Sequence, residues 1–223
     1  MISIASHACL TAFRATLLMF LLAALGCSVS NQALRPAAFD FGPGPLTPPP
    51  THRDAQLPAV IIDVVQTNPT LQRTDMVYRL AYADPQQFRP YAQARWSMSP
   101  TLLIRERLRG YLGQRRTVLN PGEMDSSGAT AATNRLAPLS LRVELEEFSQ
   151  LFATPQSSVG LLRLRATVTR NTSGSGQRVE QRHLILQRPA PSADAAGGVR
   201  AMIMATDAAA QELDNWLREI DAH

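Results

Sequence analysis

Four histidines, two cysteines and one adjacent pair of glutamates are the obvious places to look for chemistry in this 223-residue chain. Catalysis needs a nucleophile, a base and an orienting group within reach of one another. His52 sits in a proline-rich stretch, His183 in a predicted strand and His223 at the last position, so no two share a helix face. No Cys/His cluster has zinc spacing, and there is no G-x-S-x-G elbow. The "GPGP" at Gly42 to Pro45 is interrupted by proline and leads into no helix, so it is not a phosphate loop. Glu146 and Glu147 are neighbours on a predicted strand. They should point to opposite faces, which does not make a catalytic carboxylate pair. Asp63 lies in an otherwise apolar run, where burial would raise its pKa unless it finds a donor near the strand end. The residues point to no catalytic site, no metal centre and no cofactor, and the chain reads as non-enzymatic.

One residue does carry a chemistry of its own. In "LLMFLLAALGCSVSNQ", Leu17 to Gln32, an apolar run stops at Gly26 and Cys27 and turns polar at once. The run from Leu17 to Gly26 is too short for a membrane span, which takes about 20 residues. It suits a secretory signal, with Arg14 as the only fixed positive charge ahead of it. "AALGC", Ala23 to Cys27, resembles the apolar-small-small-Cys box of bacterial lipoproteins, in which the cysteine becomes the lipidated first residue. Ala24 departs from the preferred leucine. A cut before Cys27 also removes Cys9, so the remaining thiol has no disulfide partner. Acylation with palmitate-type chains gives that thiol a use, at about 0.8 kcal/mol of membrane affinity per buried methylene. An ordinary cleaved signal with an incidental cysteine is the alternative. The expected organisation is a lipoprotein signal peptide at 1–26, a lipidated tether at 27–37 and a folded domain at 38–223. Ser28, by similarity to enterobacterial lipoproteins, implies sorting to the outer membrane.

Charge excludes one class of partner. The formal net charge is +4, every fixed positive charge is arginine, and the arginines are interspersed with acids. "IRERLRG" and "WLREIDAH" are typical, and only Arg115 and Arg116 are adjacent. That pattern makes a solvated surface rather than a nucleic-acid stripe.

The elements follow from periodicity. "AFDFG" (38–42) is read as a short strand with Phe39 and Phe41 on one face. Residues 43–58, rich in proline, are a loop of polyproline character. "AVIIDVVQ" (59–66) is nearly continuous in β-branched residues and reads as a strand buried on both faces. "TDMVYRLAY" (74–82) alternates, with Met76, Tyr78 and Leu80 on one face. Residues 83–96 hold two prolines and read as a connection ending on Trp96. A helix over 99–114 should start with Ser99 as cap and Pro100 in the first turn and end at Gly113. Its buried face would be Ile104, Leu108, Tyr111 and Leu112. A short strand at 116–120 and a small, polar loop at 121–138 follow.

"LSLRVELEEF" (139–148) alternates strictly through Leu145, and Glu146-Glu147 then breaks the register, which predicts a bulge. "VGLLRLRATVTR" (159–170) and "RVEQRHLILQR" (178–188) complete an antiparallel meander around a turn at 171–177. The last segment, capped by Ser192, is an amphipathic helix. Its stripe is Val199, Met202, Thr206, Ala209, Leu213, Trp216 and Ile220. Gly197 and Gly198 weaken its start. Trp96 and Trp216 read as core, and Tyr78 and Tyr82 as either core or surface. The fold class is an α/β (α+β) sandwich with a mixed, partly antiparallel sheet and two main helices.

The order of these segments resembles the PqiC-like ABC-type transport auxiliary lipoproteins. The carrying motifs are "QRTDMVYR" (72–79), "ARW" (94–96) with the helix after it, and "VELEEF" (143–148). The resemblance implies a fold related to the anticodon-binding and TolB N-terminal domains. It implies an outer-membrane lipoprotein on the periplasmic face, lipidated at Cys27. The implied partners are an MCE-domain, PqiB-like periplasmic protein and its inner-membrane transporter, which move phospholipid-like molecules; a homo-oligomeric ring is a further possibility of that kind. A lipid-binding or outer-membrane assembly lipoprotein acting alone is the other reading. A deep apolar cavity would favour it, whereas an exposed docking face on a shallow domain would favour the transporter subunit.

Overall fold

The computed structural model describes residues 35–44, 57–66, 69–121, 137–172 and 176–222. Cys9, Cys27 and its box, most of the tether, residues 45–56 with His52, residues 122–136 and His223 lie outside the described residues. A compact body spans Pro36–His223.

Its spine is the meander that the alternating sequences predict. β6 (Leu139–Thr154), β7 (Ser157–Thr172) and β8 (Gly176–Pro189) pair antiparallel in order. The inward set Leu139, Leu141, Val143 and Leu145 is fully buried, and its last three members oppose Val168, Ala166 and Leu164 of β7. The register shifts between Leu145 and Glu147, so the expected bulge is present. It consumes one residue and returns Phe148 to the core face opposite Leu162.

The other edge of β6 is shared by two parallel strands. β2 (Val60–Gln66) runs beside its first half, from Val60 opposite Leu139 to Gln66 opposite Leu145. β3 (Asp75–Leu80) runs beside its second half, with Tyr78 opposite Gln150. β5 (Val118–Leu119) extends the sheet from β2. β4 (Asp84–Trp96) pairs antiparallel with β3, and β1 (Ala37–Phe39) lies parallel to the end of β4. The result is one mixed sheet of eight strands.

Two helices cover one face. α1 (Pro100–Leu112) buries Leu103, Ile104, Leu108 and Leu112. α2 (Ala195–Asp221) buries every residue of its predicted stripe, from Val199 to Ile220. Apolar burial on this one face supplies the main favourable free energy. Close approach completes it. A Cβ at Gly198 would stand 2.0 Å from Oε1 of Gln150, so the start of α2 sits directly on the sheet because it lacks a side chain there. The two glycines that weaken the helix intrinsically are what let it dock.

Five expectations need correction. Residues 83–96 are not a connection but the 13-residue strand β4. β1 reaches only Ala94–Trp96, so most of β4 lies at a sheet edge, where Pro85 and Pro90 are tolerated, and its pairing with β3 is irregular. β2 is buried on one face only: Val60 and Ile62 are fully buried, while Ile61 and Asp63 are half-exposed because no layer covers the far face among the described residues. Ser99 does not cap α1 through its side chain; its hydroxyl is spent on Thr101 at 3.1 Å. Ser192 is likewise not the cap of α2. That role belongs to Asp194, whose carboxylate accepts from the Gly197 amide at 2.7 Å while Ser192 donates to it. Those hydrogen bonds hold the Asp194 carboxyl below its ordinary pKa. Tyr111 leaves the predicted helix face and stays 38% exposed.

Candidate functional site

The residues flagged for chemistry are dispersed and individually satisfied. Asp63 is 44% exposed and lies 3.6 Å from Arg142, so it finds its donor at the open face of the sheet. Glu146 and Glu147 each take a different arginine, Glu146 from Arg163 at 3.7 Å and Glu147 from Arg79 at 2.9 Å. His183 is exposed on β8 opposite Arg165. Trp96 and Trp216 are core, at 1% and 4% exposure. The Tyr78 ring lies 4.7 Å from that of Tyr91, both half-buried, whereas Tyr82 is 48% exposed. Among the described residues no group of three or more His, Cys, Asp or Glu is placed to hold a metal ion.

Buried polar groups serve the fold. The Tyr91 hydroxyl donates to Gln150 at 2.8 Å, and Gln150 donates to Ser158 at 2.8 Å. Burial pushes the Tyr91 phenol well above its ordinary pKa, so it remains a donor. Arg116, fully buried, lies 3.0 Å from Asp221, which Arg170 also approaches at 3.3 Å. This fastens the C-terminal end of α2, where cations are favoured.

What the structure assembles instead is a groove of about 700 Å³, open to solvent, between residues 40–44, α1 and α2. Its near wall is made by a glycine turn. The Asp40 carboxylate accepts from the Gly42 amide at 2.8 Å, and Gly42 and Gly44 both take positive φ, at 75° and 69°. Phe41 is thereby driven inward, edge-on to Trp96 at 5.8 Å. The floor is apolar: Phe41, Leu103 and Gly110, with Met98 and Tyr111 at the lip. Met98 is 40% exposed and Tyr111 38%.

The far wall is ionic. Arg107 of α1 donates through Nε to Asp207 of α2 at 2.5 Å and through Nη2 at 2.9 Å, a two-pronged bridge that joins the helices. That contact raises the Arg107 pKa further above its usual value. Asp40 and Glu106 add two more carboxylates, so acids outnumber the single arginine along the rim. None of this was flagged by the sequence. Arg107 and Asp207 are 100 residues apart, and the only local signal was apolar residues, Met98 and Tyr111, beside the clearest helix. An apolar floor with a charged rim and a side open to water is suited to receiving a polypeptide or amphipathic segment.

The family model for the ABC-type transport auxiliary lipoprotein component matches residues 41–214. The chain belongs to that family. An auxiliary lipoprotein of this family is associated with an ABC-type transporter, and the recognised span takes in all of α1, α2 as far as Asp214 and the groove residues other than Asp40. The fold recurs in a crystal structure of a Xanthomonas campestris protein assigned to a domain family of unknown function. That protein is 17% identical, with a TM-score of 0.58 over 84% of this chain and 97% of the other. A crystal structure of an uncharacterized protein, 14% identical, gives a TM-score of 0.55 over 83% and 99%. No curated protein matches this auxiliary lipoprotein. Among its described residues no helix is long and apolar enough to cross a membrane.

Proposed function

We propose that this auxiliary lipoprotein is a non-enzymatic subunit of an MCE-type lipid transport system, anchored to the periplasmic face of the outer membrane through Cys27. The groove between α1, α2 and residues 40–44 receives a segment of the MCE-domain periplasmic partner. The observation that carries this reading is the groove itself, apolar in its floor and acidic at its rim. An amphipathic segment with basic residues would bury its apolar side on Met98, Leu103 and Tyr111 and set its cations near Asp40 and Glu106. The openness of the groove favours docking over the alternative of a carrier that encloses a lipid. The ion pairs of the flagged acids favour a structural role for them over a catalytic one.

The anchor has its own test. Cys27→Ser should leave the chain either unprocessed or released from the outer membrane. Fractionation of cells followed by mass measurement of the product reads this directly. A processed Cys27→Ser protein that still needs detergent for extraction would show that the lipid on Cys27 is not the anchor.

A further inference from the structure

Docking uses the apolar bulk of the groove, but one side chain there is also reactive. Met98 stands at the lip, 40% exposed, and is the only sulfur-bearing residue among the described residues that line the groove. Its place is fixed on both sides. Trp96 before it is buried in the core, the Ser97 amide donates to the Phe39 carbonyl at 2.7 Å, and Ser99 after it stands at the N-cap of α1. The exposure of Met98 therefore belongs to the folded state and needs no local opening. The other described methionines differ. Met76 and Met202 are fully buried, and Met204, 42% exposed on α2, is not part of the groove wall.

We infer that Met98 is a reversible oxidation site that switches docking off. This rests on the groove receiving the MCE-domain partner. A thioether sulfur is a soft nucleophile open to two-electron oxidants. The co-reactant is a neutral hypohalous acid or hydrogen peroxide. A sulfur lone pair attacks the electrophilic oxygen, the O–halogen or O–O bond breaks, and halide or hydroxide leaves with the electron pair. The oxygen's proton passes to solvent in the first case and completes the departing water in the second. Sulfur is oxidised to the sulfoxide and the oxidant is reduced by two electrons. The carboxylates of Asp40 and Glu106 at the rim repel anionic oxidants but not these neutral ones.

The product puts a strong hydrogen-bond acceptor on an apolar lip. Phe41 and Leu103 of the floor offer it no side-chain donor, and Arg107 is held by Asp207. An apolar partner surface closing over Met98 would bury that oxygen unpaired, which costs what an unmet polar group costs. Repair is the reverse exchange: a sulfoxide reductase supplies two thiols, they become a disulfide, the oxygen leaves as water and the thioether returns.

The test uses the full-length lipoprotein with a photo-reactive amino acid at Tyr111. Cell envelopes are treated with hydrogen peroxide or hypochlorous acid, then cross-linked, and the methionines are mapped by peptide mass spectrometry. Met98 and Met204 should each gain one oxygen before Met76 and Met202 do. Capture of the MCE-domain protein should fall by about tenfold as Met98 becomes the sulfoxide. Methionine sulfoxide reductases with a dithiol should restore it. Met98→Leu keeps the apolar bulk without the sulfur, so its capture should survive the oxidant. Met98→Gln, polar at the same place, should lose capture without any oxidant, and Met204→Leu should respond to oxidant as wild type does. Undiminished capture by protein carrying the Met98 sulfoxide, equal loss of capture in oxidised Met98→Leu, or oxidation of Met76 and Met202 ahead of Met98 would overturn the switch while leaving docking intact. An untreated protein that captures no MCE-domain protein from Tyr111 would overturn docking and the switch together.

Discussion

Gly160→Val should cost this domain about 3 kcal/mol or more of folding free energy, the upper range for overpacking a well-packed core. Gly160 lies on the inner face of β7, between Gln150 of β6 and Arg188 of β8. A Cβ there would stand 2.5 Å from the carbonyl carbon of Ala201 and 2.5 Å from the amide nitrogen of Met202. The obstacle is helix backbone, which cannot rotate away as a side chain would. To make room, α2 has to lift off the strand. Lifting it breaks contacts of Met202, Ala205, Ala209, Leu213 and Leu217, all fully buried. Two valine methyls cannot offset that, because the space they would fill belongs to the helix. Urea unfolding reads the effect as a fall in midpoint with an unchanged slope. A variant within about 1 kcal/mol of wild type would contradict the close seating of α2 on β7.

Glu147→Ala should be nearly as damaging, at about 3 kcal/mol, the lower end of the range for breaking a buried ion pair from one side. Arg79 donates to both carboxylate oxygens of Glu147, at 2.9 and 3.1 Å, and Ser149 donates to the same carboxylate. The pair is largely buried, with side-chain exposures of 16% for Arg79 and 9% for Glu147. Through Nη1, Arg79 also reaches the carbonyls of Pro85 and Gln86, and its guanidinium lies 3.6 Å over the Phe88 ring. One side chain therefore ties β3, β4 and β6 together.

Removing Glu147 leaves the guanidinium desolvated, with only its two bonds to the Pro85 and Gln86 carbonyls remaining, and leaves Ser149 without its acceptor. Replacing both partners by apolar residues, Arg79→Met with Glu147→Leu, should recover most of the loss, since the penalty comes from the orphaned charge. A double-mutant cycle in denaturant measures the coupling. Additive single effects would mean that the pair contributes nothing as a pair.

These two sites show what could be read along the chain and what could not. The strict alternation of "LSLRVEL" fixed β6 and its inward face, because a period of two allows no other assignment when one side is buried. The spacing of Val199 to Ile220 fixed the inner face of α2 for the same reason at a period of 3.6. The acid pair foretold the bulge. By contrast, β4 was hidden by Pro85, Pro90 and a run of glutamines, since its residues pair at an edge and bury little. Ser99 stands at the N-cap of α1 as read, but its hydroxyl goes to Thr101 instead of the first amides, and the cap of α2 falls on Asp194 because the Ser192 hydroxyl donates to that carboxylate.

The groove was illegible for a different reason. Its walls come from residues 40–44, α1 and α2, and no local pattern says that these will meet. Glu147 was legible as a strand residue, yet its partner Arg79 is 68 positions away. Nothing along the strand marks Gly160; its role comes from α2 backbone seated on it.

If the groove receives the MCE-domain protein of the transporter, a probe placed in the groove must report that protein. The most direct measurement is photo-cross-linking in living cells from an unnatural amino acid at Tyr111, on the full-length lipoprotein, with the captured neighbour identified by mass spectrometry. Capture of the MCE-domain protein is expected from Tyr111, and none from a control position on the far face of the sheet such as Arg142. Capture of outer-membrane assembly factors or of lipid alone from Tyr111 would contradict it and assign the groove to a lipoprotein that acts without a transporter.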